Sequence, residues 1–289
     1  MVSITSEVIV LRRPSAYRCS MSATTATRPI GNLLRQWRQH RRLSQLELAL
    51  EAEVSARHIS FLETGRSQPS RDMVLRLAEQ LEVPLRERND LLVAAGFAPL
   101  YPERSLDDPA LQQAQTAIRL VLAGHEPYPA LAVDRAWNLV AANQAVSPFF
   151  EGVAPALTQP PINVLRATFH PAGLAPRIAN YTQWRTHMLQ RVQRQAQRTA
   201  DARLVDLLAE LRGFPAPATP DDGEPSPGPE VPGMVLPLRL RTDAGVLSFL
   251  YTTTLFGMPL DVTLADIGIE AFFPADAATA AVFIPGQRA

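Results

Sequence analysis

From Pro29 onward, apolar residues recur at helical spacing. Ile30, Leu33, Leu34 and Trp37 fall at i, i+3, i+4 and i+7, on one stripe of a helix. Arg35, Arg38 and Arg42 occupy a second face, joined by Arg41. Ser44, with Glu47 three residues on, is a capping-box signature that opens a second helix. Ala49 and Ala52 are small enough to let another helix cross closely. Glu53 and Val54 make a turn, and Ser55 caps a third helix whose Ile59 and Leu62 face inward. Gly65 ends that helix. A fourth is predicted over Ser70 to Leu81, and a fifth from Pro84 to about Ala95, just before Gly96. Residues 28–98 therefore read as a compact all-α domain of five helices.

Residues 99–109 carry several prolines and read as a linker, followed by a helix over Leu111 to Ala123. After Pro129 the period shortens. Ala130 to Val133 and Trp137 to Ala142 predict two short strands, and Asn143 caps a short helix to Phe150. Residues 153–161 form a Pro-rich loop, and Thr182 to Leu211 is mostly helical. The Pro-rich stretch Phe214 to Gly233 reads as a flexible surface loop. Alternation then returns at Leu236, Leu238 and Leu240, over Val246 to Phe256, and at Ile267, Ile269, Ala271 and Phe273. Residues 110–285 are thus an α+β domain with an antiparallel sheet of about five strands. Residues 1–27 show no sustained period and are expected to be a disordered extension, with Met21 offering a second translation start.

Composition sharpens this picture in a few places. A chain of 289 residues suits two domains. The formal net charge is zero, so attraction to a polyanion must come from a local patch, and every basic residue is Arg, a planar fork-like donor. Cys19 is the only cysteine, which leaves no intramolecular disulfide or Cys-based metal site and fits a reducing cytoplasm. No apolar run approaches the roughly 18 residues needed to span a bilayer. Val8 to Leu11 is too short for a signal-peptide core. His40, His58, His125, His170 and His187 show no metal-ligand spacing. There is no GxSxG, HExxH, phosphate-loop or dinucleotide fingerprint, so no enzyme, metal or cofactor is expected.

The second and third helices, joined by a tight turn, have the order of a helix-turn-helix, whose second helix enters the major groove of double-stranded DNA. Opposite Ile59 and Leu62 lie Ala56, Arg57, Ser60 and Phe61. Arg57 is the candidate for direct readout, since a guanidinium pairs bidentately with guanine O6 and N7. Ala56 or Phe61 would touch a thymine methyl. Gln45, Ser55, Arg66 and Arg71 would hold phosphates and set the register. One recognition helix reads few base pairs, so a homodimer on paired half-sites is expected.

SQLELALEAEVSARHISFLETGRSQPS resembles the helix-turn-helix of the lambda-repressor-like XRE family of bacterial regulators. The resemblance implies base contacts from Ala56, Arg57 and Phe61, phosphate contacts from Gln45 and Ser55, and a buried ion pair between Arg38 and Glu63. The turn departs from the family, which often has Gly where this chain has Glu53; a left-handed Glu there is strained by on the order of 1 kcal/mol. EPYPALAVDRAWNLVAANQAV, HPAGLAPRIANYTQW and LSFLYTTTLFGMPLDVTLADIGIEAFFPAD are similar to the MmyB-like subset of that family. This resemblance implies a PAS-like C-terminal domain that binds a small apolar effector, with a fatty acid among the candidates. Arg177 could then pair with a carboxylate, His170 could donate a hydrogen bond, and Trp137, Tyr181 and Trp184 could form walls. Each has an ordinary alternative: a helix cap or salt bridge for Arg177, a satisfied turn for His170, core packing for the tryptophans. The competing function is a DNA-binding protein whose second domain only dimerises or binds another protein. An apolar cavity within residues 130–275 separates the two readings.

Overall fold

The computed structural model describes residues 9–10, 28–218 and 236–283. By their contacts these form a helical unit, up to Ser105 and including Met258–Ala265, and a unit built on a sheet.

The helical unit holds α1 (Ile30–His40), α2 (Gln45–Glu51), α3 (Ala56–Glu63), α4 (Arg71–Gln80) and α5 (Leu85–Ala94). The apolar stripe of α1 is buried through Ile30, Leu34 and Trp37, against a core that includes Leu48, Ile59, Leu62, Leu77 and Leu92. The helix starts are capped as their sequences imply. The Ser44 hydroxyl accepts from Glu47 N at 3.1 Å while the Glu47 carboxylate accepts from Ser44 N at 2.7 Å. Ser55 and Ser70 accept from His58 N and Met73 N.

The five helices also end alike. A residue in the left-handed region follows each one: Arg42 (φ 59°), Glu53 (56°), Gly65 (74°), Glu82 (46°) and Gly96 (87°). The next amide then reaches back to a carbonyl five residues earlier: Leu43 to Arg38, Val54 to Ala49, Arg66 to Phe61, Val83 to Ala78 and Phe97 to Leu92, all between 2.8 and 3.1 Å. Glu53 is therefore left-handed, and its turn repeats a closure used at every helix of the unit. At the start of α1, Gly31 is required by a close approach. A Cβ there would lie 2.6 Å from the Glu63 carbonyl oxygen and would also strike that of Leu62, so the absence of a side chain lets α1 seat on the end of α3.

The expected linker begins inside this unit. Asn89 on α5 accepts from Leu100 N and Tyr101 N and donates to the Tyr101 carbonyl, fixing the chain just beyond α5.

The sheet unit contains α6 (Gln112–Gly124), β2 (Ala130–Val133), β3 (Leu139–Ala142), α7 (Val164–Phe169), α8 (Tyr181–Thr199), α9 (Ala202–Gly213), β4 (Leu238–Thr242), β5 (Gly245–Leu255), β6 (Gly268–Pro274) and α11 (Ala277–Phe283). Between β5 and β6 the segment Met258–Ala265, with the short helix α10 (Val262–Ala265), packs with the helical unit. Val262 N donates to the Pro102 carbonyl (2.9 Å), Thr263 to that of Arg104 (2.6 Å), and Arg104 pairs with Asp261 (3.0 Å). Val262 is 1% exposed. The linker and this segment extend the helical unit beyond the 28–98 boundary expected from sequence.

The sheet is antiparallel, in the order β1-β3-β2-β6-β5-β4, where β1 is Ile9–Val10. The strands anticipated after Pro129 all form, and β1 adds a sixth. It lies within the extension expected to be disordered and pairs with Ala141 and Ala142, covering backbone groups of an edge strand. The apolar run Val8 to Leu11 was its only signal. The rest of that extension and residues 219–235 of the Pro-rich loop lie outside the described residues.

Leu131 stands opposite Glu270, Tyr251 opposite Phe272, and Phe249 opposite Leu238, which sets these side chains on one face of the sheet. Phe249 and Leu238 are buried in one core with Phe169 of α7, Trp184 and Met188 of α8, and Leu208 and Leu211 of α9. Two local expectations change. The helix expected over Thr182 to Leu211 breaks at Ala200, which is left-handed (φ 53°). The short helix to Phe150 forms as a 3-10 helix (Gln144–Phe150) with Asn143 at its N-cap position, but the Asn143 side chain makes no capping bond: fully buried, it accepts from Ala130 N and donates to the Leu122 and Tyr128 carbonyls, stitching α6 to β2. α7 and α11 form where no helix was expected, because six- and seven-residue segments are too short to show a helical period.

Candidate functional site

The third helix presents its outer face through half-buried Ala56 and Phe61 and exposed Arg57. Ser55 is exposed but spends its hydroxyl oxygen on capping. Arg66 and Arg71 are exposed, beyond Gly65 and at the first turn of α4 respectively. Phe61 sits between two cations, with the Arg57 guanidinium 5.1 Å and that of Arg66 5.8 Å from its ring centroid. Such contacts restrict both long side chains.

Beneath this face lies the ion pair. Arg38 Nε and Nη2 donate to the two Glu63 carboxylate oxygens at 2.6 and 2.9 Å, and Nη1 donates to the Leu43 carbonyl at 2.7 Å. Gln45 Nε2 donates to the same carboxylate at 2.8 Å. Burial works to raise the Glu63 pKa, but the hydrogen bonds from Arg38 and Gln45 and the Arg38 charge outweigh it and hold the carboxyl below its ordinary range. α1, the start of α2 and the end of α3 thus meet at one carboxylate. Gln45 was expected to face a phosphate; the structure shows that one of its amide protons is also a strut of the ion-pair cluster.

Within the sheet unit, between the sheet and α7 and α8, is an apolar cavity open at one mouth. Leu131, Leu240 and Phe272 line it from the strands, Phe149 from the turn after β3, Val164 from α7, and Trp184 from α8. Of the five residues proposed from sequence to meet a ligand, Trp184 is on this wall. The other four are placed off it by other bonds. Trp137 Nε1 donates to Gln195 (2.9 Å) and its ring carries the Arg191 guanidinium at 4.7 Å. His170 Nδ1 accepts from Ala172 N (3.0 Å), satisfying a turn. Arg177 spends its guanidinium on the carbonyls of Glu151 (3.0 Å), Pro148 and Arg241 (both 3.5 Å). Tyr181 is buried against Phe169, and burial raises its pKa despite the nearby Arg185 charge.

Sequence reading missed the polar cluster beside this core. Arg191 of α8 pairs with Glu270 of β6 at 2.8 and 2.7 Å and donates to Thr253 Oγ1 at 2.7 Å, while His187 Nε2 meets the Tyr251 hydroxyl at 2.7 Å. Glu270 interrupts an otherwise apolar inward face of β6, which was the one available signal.

No helix among the described residues is long and apolar enough to cross a membrane. A search of the curated proteins finds no significant match. Residues 34–88 match the helix-turn-helix family, and residues 114–283, more than half of the chain, match the MmyB-like transcription regulator ligand binding domain. A DNA-binding helix-turn-helix joined to a ligand-binding domain of this kind places the chain in the family of MmyB-like transcription regulators.

Proposed function

We propose that this regulator binds its operator as a cytoplasmic homodimer, and that a small apolar molecule in the sheet-unit cavity changes that binding. The observation that carries the ligand half is the cavity, whose walls are hydrocarbon on every element that reaches it. A domain serving only for dimerisation has no use for an unfilled interior, since voids cost packing energy. Occupancy can shift DNA binding only through different affinities for two states of the protein.

In the DNA half, Arg57 reads a base edge with Ala56 and Phe61 beside it, while Gln45, Ser55, Arg66 and Arg71 position the backbone. Arg57→Ala is expected to reduce discrimination between a selected site and its single-base variants by roughly 1–3 kcal/mol at one position. Arg66→Ala should weaken all sites alike and lower the salt slope by about one. Equal losses from both in a salt-controlled binding assay would remove Arg57 as the base reader. For the ligand half, native electrospray mass spectrometry of the full chain should show a non-covalent small molecule. DNA affinity should then differ between loaded and stripped protein, and identical affinities would leave the cavity without a regulatory role.

A further inference from the structure

We propose that Phe61 is a positioning residue: it holds Arg57 and Arg66 at a fixed spacing, so that a base-edge donor and a phosphate donor reach DNA in one register. This rests on the DNA contacts proposed above and deepens them. The helical repeat of α3 puts Arg57 one turn before Phe61 on the same face, with its guanidinium 5.1 Å from the ring centroid. Arg66 lies five residues after Phe61, beyond the end of the helix, and reaches it by a different route. Gly65, left-handed at φ 74°, turns the chain back. Arg66 N then donates to the Phe61 carbonyl at 2.8 Å, and Ser67 N donates to the same oxygen at 3.2 Å. That closure brings the Arg66 guanidinium to 5.8 Å from the same ring. Phe61 thus holds Arg66 through its backbone and both arginines through its side chain.

The ring suits this task because of what it leaves alone. Both arginines are exposed and the ring is half-buried. A ring attracts a cation electrostatically without accepting its N–H bonds, so the donors stay available for bases and phosphates. A carboxylate in the same place would neutralise the charge and occupy the donors, as Glu63 does for Arg38. A leucine would hold neither arginine. Restraint of both side chains in the free protein also lowers the ordering entropy lost when they meet the duplex.

The test uses the full chain and a duplex that this chain selects from a random pool. Phe61→Leu keeps an apolar side chain on α3 and removes the ring; Phe61→Met does the same should the first variant fail to fold. Either is expected to bind the selected duplex about three- to tenfold more weakly, with reduced discrimination at the base that Arg57 reads. In a background of Arg57→Ala with Arg66→Ala, the same substitution should change affinity by under about twofold, because the ring acts through the two arginines. An undiminished loss in that background would make Phe61 a direct base contact and overturn the inference, while leaving the DNA reading intact. Failure of the full chain to select any sequence would instead overturn the reading beneath it. A second measurement needs no DNA. Order parameters of the Arg57 and Arg66 Nε–Hε groups should fall in Phe61→Leu and hold in Phe61→Tyr, which keeps a ring. Equal order parameters in the parent and Phe61→Leu would show that the ring restrains neither arginine, and would end the proposal.

Discussion

Each unit ties distant elements together with an arginine–glutamate fork, and the two forks differ in what surrounds the cation. Arg38 reaches Glu63 with both partners largely buried (side chains 11% and 3% exposed), and its remaining bond is to a single carbonyl. Arg191 reaches Glu270 at similar distances, but Thr253 takes a third bond and the rings of Trp137 and Tyr251 lie 4.7 and 5.4 Å away. The first cation depends on one carboxylate. The second has aromatic faces and a hydroxyl to fall back on. The difference teaches where each unit is brittle: the helical unit at the joint under α3, the sheet unit in its shared core.

The largest expected effect breaks that contrast directly. Glu63→Ala should cost about 3–5 kcal/mol of helical-unit stability, because it strands a buried guanidinium and frees Gln45. Glu270→Ala should cost less, since Arg191 keeps its rings. Segment-resolved amide exchange under native conditions reads the two separately, in α3 and in β6. Equal losses would mean that the rings contribute nothing to holding Arg191. Replacing both members of the first pair, as in Arg38→Met with Glu63→Leu, should recover much of the loss.

Next in size is a substitution placed in the sequence of one unit and felt in the other. Val262 follows β5 in the chain, yet its amide is bonded to Pro102, its side chain is buried, and its segment groups with the helical unit. Val262→Ala is expected to destabilise that unit by about 1–3 kcal/mol. Faster exchange in α5, with β4 unchanged, is the outcome expected; a loss confined to the sheet would show that the segment is not part of the helical core.

What could be seen in advance follows the same division. Helix caps, turns and stripes are local, so Ser44, Ser55, Gly65 and the Ile30–Trp37 stripe were legible residue by residue, and the Arg38–Glu63 joint came with the family resemblance. In the sheet unit the strands were legible from alternation, but the site was not. Whether Trp137 or Trp184 faces a cavity depends on which strands pair and on a helix break at Ala200, neither of which alternation encodes. Arg177 looked like a ligand anchor because three carbonyls from two other segments are invisible in one dimension. The segment Met258–Ala265 read as a strand-to-strand connection for the same reason.

Acid should weaken both units by a smaller margin. Burial, together with the charges of Arg194 and Arg191, lowers the pKa of His187 in the sheet unit. The unfolded chain therefore binds more protons below about pH 6.5, so the sheet unit loses stability as pH falls through that region. Glu63 and Asp201 act further down. Both carboxyls are opposed by burial but held low, by Arg38 and Gln45 in one case and by Arg203 and Arg135 in the other. Their stabilisation is complete above the ordinary carboxylate range and is lost as pH falls below it, through their lowered folded values. In the helical unit, burial and the Arg41 charge lower the pKa of His40 in the same way, so denaturant midpoints should fall for both units between pH 7 and 5, and His187→Gln should flatten that decline in the sheet unit alone. A decline of equal size in the variant would assign it to other groups.

The smallest effect concerns the turn that departs from its family. Glu53, Arg42 and Glu82 hold the same left-handed closure without glycine, each followed by an apolar residue packed on the core. If the closure is fixed by that anchor and the returning hydrogen bond, glycine at position 53 should help only slightly. It relieves roughly 1–2 kcal/mol of left-handed strain but gives back about 0.5–1 kcal/mol through the greater freedom of the unfolded chain. Glu53→Gly is thus expected to raise stability by under about 1 kcal/mol, with Ala200→Gly in the sheet unit giving a similar gain. A loss at position 53 would mean that the Glu53 side chain itself supports the turn, and that the departure from glycine is a feature of this reading head and not a tolerated cost.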